Sequence, residues 1–597
     1  MHRTLESYPI RAGVVVALAG LALFCGCENP MARSSADTLR QSVVDAARAE
    51  TRQAEAKADR LELTRPTGEV SFPPERIKEL DEMGGPVAYS KIAPPIGADL
   101  LGQETRTVSI SIRRAILGAV QQNLDVQGAR LLPAIDQARV VEAEAAFDWV
   151  FFGGVEWDSI DQPQTQTVIG GIPIGTPARV NQSVAYSTGI RKQMTSGGLF
   201  SISQGQTYND DKTPGVAINP DPSNAAFLQL RLDQPLLRGF GSDVALAEVR
   251  LNENAERRSV YQVKATVIDV VNRTEQAYWR LVRARASVQI AQQNLNRGIE
   301  TRQIVKAREG FDARPAEISD AVATVERRRS AVIRAVNELR VSSDELKALI
   351  NDPEITVGDE TMLMPADEAL DQPISYSLLD SLTAAIDKRP EVKQALLLID
   401  DASIRQTVAD NARLPLLNLA LQSRFQGLAS GVGDAYEDIT EGQFVNMLAR
   451  VDYEVPIGNR AAEAAYRRTQ LERMQATIGY RTSVQQVVLQ VKEALREVQT
   501  QYQLIEQLRS SRLAAVENLR TLQVLERTIQ SLTPDFLNLK FQRQEQLAQA
   551  ELEEMFAITG YNIALSQLAA ARGDALERNA IVFDVPDAPE AIKTGTR

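Results

Sequence analysis

The sequence predicts a mainly α-helical chain with a smaller set of β-strands that contribute to a membrane β-barrel. Three observations support this fold class. There are long segments nearly free of proline and glycine, there are short segments in which apolar and polar residues alternate, and both recur in two halves of the chain. At 597 residues the chain is several times longer than a typical domain of about 100–200 residues, so it forms several domains or one elongated architecture.

The two halves of the chain follow one plan. Residues 115–129 match residues 381–395 without a gap, and two proline-containing landmarks recur further on in the same order. An internal repeat decides the fold because each copy forms one structural unit. The predicted boundaries are a first repeat at 109–353, a linker at 354–374, a second repeat at 375–575 and a tail at 576–597.

Long helices are predicted where helix-breaking residues are scarce. Residues 242–308 contain no proline and one glycine, Gly298, and at 1.5 Å per residue they form a rod of about 100 Å. Apolar residues follow heptad spacing in the returning segment from Ile318 to Ile350, and again in the second repeat from Val484 to Ile505. We therefore expect long antiparallel coiled-coil helices, which at this length need lateral partners and imply an oligomer.

About four strands per chain are predicted from alternating segments near Trp149, Leu228, Leu417 and Val451. A half-buried sheet in a soluble protein produces the same alternation. A membrane barrel is favoured because no further apolar elements remain to cover the sheet. Several copies must then close it, since lipid does not tolerate open edges. If the apolar face meets lipid, the lumen is lined by six charged residues: Arg231, Asp233, Arg424, Arg450, Asp452 and Glu454.

The first 26 residues have the features of an export signal. Basic residues precede an apolar run at residues 12–24, which is shorter than the about 20 residues that span a bilayer. Gly26 directly before Cys27 resembles the bacterial lipobox, in which the cysteine is lipidated and becomes the first mature residue. We expect a lipid anchor at Cys27, and an ordinary cleaved signal peptide is the alternative.

Residues 27–108 are predicted to form an N-terminal extension. It is expected to contain an amphipathic helix at 36–63 and a proline-rich linker at 66–95. A further alternating hairpin is expected within residues 161–222, turning at Ser196-Gly197-Gly198. The sequence leaves open whether this hairpin joins the barrel.

Composition argues against catalysis. His2 is the single histidine and the two cysteines are Cys25 and Cys27, so the exported chain lacks the commonest general base and the commonest transition-metal ligand. A glycine-rich phosphate loop after a strand and a paired-carboxylate motif are both missing. We predict that the protein is not an enzyme and uses no cofactor or metal. Its net charge of −12, with dispersed basic residues, also disfavours nucleic acid as a partner.

The junctions between helix and strand resemble a known family. A helix that ends at residues 410–415 and is followed at once by the strand at 416–426 resembles the point where TolC-like outer-membrane efflux proteins pass from periplasmic helix into barrel. Residues 389–395 resemble that family's repeat opening, and residues 234–241 resemble its exit from barrel to long helix. The resemblance rests on the order, spacing and duplication of these motifs over residues 109–575.

The resemblance implies a homotrimer in the outer membrane, with a shared 12-stranded barrel and helices that extend into the periplasm. It implies an exit duct that passively conducts substrates to the exterior from a periplasmic adaptor and an inner-membrane transporter. The alternative is a lipid-anchored periplasmic coiled-coil scaffold or adaptor without a pore. Adaptors usually carry one hairpin flanked by compact β-domains, whereas this chain has two long hairpins.

The helical hairpins turn near residues 310–315 in the first repeat and near residues 530–534 in the second. In the family, these turns contact the adaptor and close the resting channel. The resemblance therefore implies docking or gating for eight residues of these turns: Arg308, Gly310, Asp312, Arg314, Pro315, Arg527, Pro534 and Asp535. The alternative is that the charges are solvated and that the two prolines only start helices.

Overall fold

The computed structural model describes residues 38–46, 48–49, 61–63, 72–309, 314–528 and 533–582. Over these residues the chain is mainly helical, with one large antiparallel sheet. It divides into two compact units. The sheet unit comprises the described residues within Met1–Val43, Ile135–Arg257 and Leu396–Ile478, and the helical unit comprises those within Val44–Ala134, Arg258–Ala395 and Gly479–Arg597. Each unit draws on both sequence repeats.

The sheet contains six strands within the part of the chain that the structure describes. Their bounds are β1 (Trp149–Pro163), β2 (Ala178–Gln193), β3 (Leu199–Asp211), β4 (Ser223–Pro235), β5 (Leu416–Ala429) and β6 (Phe444–Glu454). Each strand pairs antiparallel with the next, in the order β6-β5-β4-β3-β2-β1. A small hairpin, Thr167–Ile169 with Ile172–Ile174, lies between β1 and β2.

The prediction of about four strands is wrong, because the inserted hairpin joins the sheet. β2 pairs with β1 along one edge and with β3 along the other, and β3 pairs in turn with β4. The turn between β2 and β3 forms where predicted: Gly197 adopts φ +90°, which favours glycine, and its N–H donates to the Met194 carbonyl at 2.8 Å. The sheet is not closed within one chain.

The main helices follow the duplicated plan. In the first repeat they are α1 (Ile112–Gln122), α2 (Leu124–Glu144), α3 (Ala247–Ala307) and α4 (Pro315–Ile350). In the second they are α5 (Leu378–Lys388), α6 (Pro390–Asn411), α7 (Arg460–Thr528) and α8 (Pro534–Arg572). Equivalent serines cap α1 and α5: Ser111 and Ser377 each accept a hydrogen bond at 3.3 Å from the backbone N–H three residues on.

The heptad pattern predicted a buried seam, and the structure confirms it in part, because Val322 of the predicted α4 series is exposed. In α4 the side chains of Val325, Val332, Leu339 and Leu346, seven residues apart, are buried. In α7 four residues at the same spacing are buried: Val484, Val491, Val498 and Ile505. A stripe that recurs every seven residues faces a neighbouring helix, as in a coiled coil.

The proline-rich segment of the N-terminal extension is packed against helices, so the linker prediction is wrong from residue 74 onward. Helices Pro74–Met83 and Pro86–Tyr89 form there because proline is tolerated in the first helical position, where no backbone hydrogen bond is needed. We call residues 72–106 the strap. After it, Thr107–Ile110 pairs in parallel with Met362–Pro365.

The predicted helix at 36–63 is observed only in part. Residues 38–46 and 48–49 are helical, whereas Leu61–Glu62 is a short strand paired with Ser375–Tyr376. The remainder of this prediction lies outside the described residues. The other short helices are Ser242–Ala245, Val432–Glu441 and Ala575–Arg578.

Candidate functional site

The register of the sheet places the six predicted lumen residues on one face. Residues directly opposite each other in an antiparallel pair share a face. Arg231 lies opposite Gln422, and both Asp233 and Arg450 lie opposite Ala420. The same register brings the others to this side, which we call the charged face: Arg424, Asp452 and Glu454.

The charged face carries ion pairs between residues two apart on one strand. Arg231 Nε donates to Asp233 Oδ2 at 2.7 Å, and Arg450 Nε lies 3.0 Å from Asp452 Oδ2. The Arg424 guanidinium lies 4.2 Å from the centre of the Phe227 ring. Because the Arg450 side chain is 55% exposed, such pairs contribute little to stability and suit a surface in contact with water.

The opposite face is apolar over much of its length. It carries the alternating large residues of all six strands, including Trp149, Phe151, Ile190, Phe200, Ile202, Leu230, Leu232, Leu419, Leu421, Val451 and Tyr453. We call it the apolar face. Its exposed members are concentrated on β1 and β6, the two strands that have one neighbour each among the described residues.

Polar residues bound the apolar face at one end. Helix Val432–Glu441, in the β5–β6 connection, packs there, and the Tyr436 hydroxyl lies 2.8 Å from the Tyr186 hydroxyl. Tyr436 also donates to Gln204 Oε1 at 2.6 Å. The face is therefore an apolar band with a polar border, which is the pattern of a lipid-facing surface.

The helix turns are described in part. Arg314 precedes α4 and its backbone N–H donates to Glu317 Oε2 at 3.2 Å, while the Arg308 N–H donates to the Val305 carbonyl at 3.2 Å. Pro315 and Pro534 occupy the first positions of α4 and α8, and Asp535 lies in the first turn of α8.

The side chains of Arg314, Arg527 and Asp535 are exposed. Gly310 and Asp312, like Cys27, lie outside the described residues. Docking and gating by these residues therefore stay predictions.

A buried arginine links the two repeats at a point that the sequence did not reveal. Arg328 in α4 is 4% exposed, and its guanidinium donates to the Asn294 carbonyl and to Gln544 Oε1, each at 2.8 Å, and to the Phe541 carbonyl at 3.1 Å. Burial lowers the pKa of Arg328 to about 10, so it stays charged at neutral pH. The acceptors are mainly backbone carbonyls of residues far from Arg328 in the sequence. Every residue has a backbone carbonyl, so no residue type at these positions predicts the contact.

The strap joins the same repeats elsewhere in the helical unit. Leu80 is fully buried in an apolar cluster with Leu513, Val516, Leu519 and Leu547. The strap's carbonyls accept hydrogen bonds from both repeats: Arg297 in α3 donates to Met83 at 2.9 Å, and Arg512 in α7 donates to Gly84 at 2.5 Å. A Cβ atom at Gly84 would lie 2.8 Å from Val516 Cγ2, so a larger residue there would force the Val516 side chain to shift.

Buried charges surround the strap. Arg512 pairs with Glu554 and with Asp81 of the strap, and both Arg512 and Glu554 side chains are 3% exposed. Nearby, Glu551 lies 3.5 Å from Arg297, and burial raises the pKa of the Glu551 carboxyl. If either partner of one of these pairs moved away, the other would be left as an unpaired buried charge, which is unfavourable. The cluster therefore favours one arrangement of the strap and the helices.

Within the described residues, no group of three histidine, cysteine or acidic side chains converges as metal ligands would. No helix in the described ranges is both long enough and apolar enough to cross a bilayer.

The fold is that of solved outer-membrane channels. CusC matches with a TM-score of 0.56 at 14% identity, over 86% of this chain and 99% of its own. The CmeC outer membrane channel of Campylobacter jejuni matches with a TM-score of 0.54 at 14% identity, over 87% and 95%. The MtrE outer membrane channel of Neisseria gonorrhoeae, in its open state, matches at 0.53 and 14%, over 87% and 98%.

No protein-family model matches the chain, and no curated protein matches it. At this level of identity the likeness establishes the fold. It confirms the TolC-like resemblance predicted from the helix–strand junctions at the level of architecture.

Proposed function

We propose that this chain, which has the fold of outer-membrane efflux channels, is one copy of a homotrimeric exit duct. In this proposal it passively conducts substrates to the exterior, delivered by a periplasmic adaptor and an inner-membrane transporter. The observation that carries the proposal is one sheet with an apolar face and a charged face, in a chain that also holds two long helical hairpins. No catalytic role is proposed.

The two faces fit a membrane duct better than a scaffold. A sheet whose apolar face has large exposed side chains needs lipid or protein against it, while a charged face suits a water-filled lumen. A periplasmic scaffold without a pore would expose this apolar band to water, which is unfavourable. The structure therefore favours the duct over the scaffold.

Attachment and docking complete the proposal. Gly26 and Cys27 support lipidation of Cys27 in the outer membrane, and the helix turns at Pro315 and Pro534 support docking of the adaptor. Mass spectrometry of the purified protein tests the anchor, since a lipidated chain begins at Cys27 with an acyl-bearing mass, and Cys27→Ser abolishes it.

The duct itself is tested by size and conductance. We expect the detergent-purified protein to have the mass of a trimer and to conduct ions in a planar bilayer. A protein that is monomeric and soluble without detergent, or that forms no pore, contradicts the proposal. Heat-denatured protein at the same detergent concentration is the control for leakage.

A further inference from the structure

The outer edges of the six-stranded sheet are long and open. β1 has 15 residues and β6 has 11, and among the described residues each is hydrogen-bonded along one side only. Unpaired backbone groups at an edge template pairing with another strand, and lipid cannot satisfy them. Both edges therefore need a strand as partner.

The two edges fit each other in direction. All five strand pairs are antiparallel, so strand direction alternates across the sheet and β1 runs opposite to β6. When β6 of one copy meets β1 of the next, the new pair is also antiparallel. An even number of strands per copy is what permits this continuation, and the inserted hairpin keeps the number even.

The two edges also fit in the pattern of their side chains. On β1, the odd-numbered Phe151 and Val155 lie on the apolar face, as do the odd-numbered Met447 and Val451 on β6. Their exposed fractions lie between 61% and 80%, whereas Leu230 on an inner strand is half-buried. Each inner strand has a neighbouring strand on both sides, whereas β1 and β6, within the described ranges, have one on one side only. A neighbouring copy would supply the second neighbour.

We propose that β6 of each copy pairs with β1 of the next, so that three copies close an antiparallel barrel of 18 strands, three times six, around a pore wide enough for bulky hydrophilic cargo. The partner is a second copy of this chain because one sheet carries both complementary edges. This inference rests on the proposed function, which supplies the threefold symmetry. It replaces the 12-stranded barrel expected from the sequence.

The strand number sets the width of the passage. With strands about 4.8 Å apart and tilted by about 40°, 18 strands form a cylinder about 36 Å across, against about 24 Å for 12 strands. Side chains fill about 5 Å on each side, which leaves a bore of about 26 Å rather than about 14 Å. Barrels of 16–18 strands leave an aqueous channel. The cargo class that fits is a hydrated polymer or polypeptide rather than a small solute alone.

The closing strand pair is tested by cysteine crosslinking between copies. The two natural cysteines are Cys25, in the predicted signal peptide, and Cys27, whose thiol is blocked by the proposed lipid, so new pairs are unambiguous once Cys25 is replaced by serine. Val451→Cys is combined in turn with a cysteine at each of residues 149–159. Because directly opposed residues share a face, oxidation should give covalent trimers with one or two odd-numbered positions and with no even-numbered one. Leu230→Cys, on an inner strand, replaces the β1 cysteine in the control.

The width is tested in the same bilayers that test the function. Neutral polymers about 20 Å in diameter, added on the exterior side, should enter the pore and lower its conductance. A variant in which a short glycine-serine turn replaces residues 164–222 joins β1 to β4, so it should form a 12-stranded trimer. That variant should exclude the polymer and conduct at least about twofold less.

The outcomes distinguish failure of the 18-stranded barrel from failure of the proposed exit duct. A conducting trimer that excludes the polymer, or that forms no crosslink at any odd-numbered position, overturns the 18-stranded barrel and leaves the exit duct standing. Equal crosslinking at odd and even positions also overturns it. A chain that forms neither a trimer nor a pore overturns both.

Discussion

Arg328 offers a direct test of how the two repeats are held together. We consider Arg328→Met, which keeps the length of the side chain and removes its charge and its donors. The guanidinium makes three hydrogen bonds, two of them to backbone carbonyls, and the one nearby carboxylate, Glu545 at 3.6 Å, is 68% exposed and contributes little. The variant therefore removes a link between α3, α4 and α8 and adds no new charge.

The size of the effect follows from two opposing terms. A hydrogen bond from a charged donor contributes about 1.5–3 kcal/mol. Against this, burial is the main cause that lowers the pKa of Arg328 to about 10, which corresponds to a net cost of about 3 kcal/mol for keeping the side chain charged. Three bonds contribute about 4.5–9 kcal/mol, so the net loss lies at about 1.5–6 kcal/mol, and we take a value near the lower end, about 2 kcal/mol. A loss of that size raises the ratio of separated to packed hairpins about 30-fold.

Single-channel recording is the assay. If the helix turns near Pro315 and Pro534 restrict the resting pore, easier separation of the hairpins should raise the open probability of Arg328→Met at unchanged unit conductance. Arg329→Met is the matched control, because Arg329 is exposed and pairs with Glu326 one turn away. The reasoning is refuted if Arg328→Met and Arg329→Met have the same open probability and the same melting temperature.

Three further predictions concern the strap and the turns. Leu80→Ala should cost about 2–5 kcal/mol of local stability because Leu80 is fully buried, and limited proteolysis should cut the strap faster than in the exposed control Lys78→Ala. The raised pKa of Glu551 means that its contribution to stability is full at low pH and lost as pH rises, so the melting temperature of Glu551→Gln relative to the unchanged protein should be higher at pH 7.5 than at pH 5; an equal difference at both would contradict this. Charge reversal at Asp535 or Asp312 should alter conductance or crosslinking to the adaptor, and unchanged values in both assays remove that residue from the gating set.

Much of the architecture follows from patterns that depend on neighbours close in sequence. The heptad seam of α4 predicted that Val325 and Leu339 are buried, because spacing along a helix sets which side chains share a face. Alternation likewise predicted that Arg231 and Asp233 lie on one side of a strand. These regularities are local, so a single sequence suffices to detect them.

The parts that were missed depend on contacts between distant residues. The sequence predicts the hairpin within residues 161–222 but leaves open whether it joins the sheet, because its pairing partners on both sides belong to other strands. Pro74 and Pro86 suggest a linker, whereas in the structure they begin helices that fit between others. In the sequence, Arg328 is one of several charged residues on a helix. Its burial could not be predicted because its hydrogen-bond acceptors are far from it in the sequence.

The strap also has a consequence for the order of folding. Gly84 and its donor Arg512 are 428 residues apart in the chain, and Arg76 and Glu517 are 441 apart. Contacts of such separation form slowly because a long loop must close first. A chain exported from its N-terminus therefore presents the strap before its binding surface on α7 exists. Docking of the strap becomes a late step, and a chain truncated before the second repeat should leave this segment open to proteases.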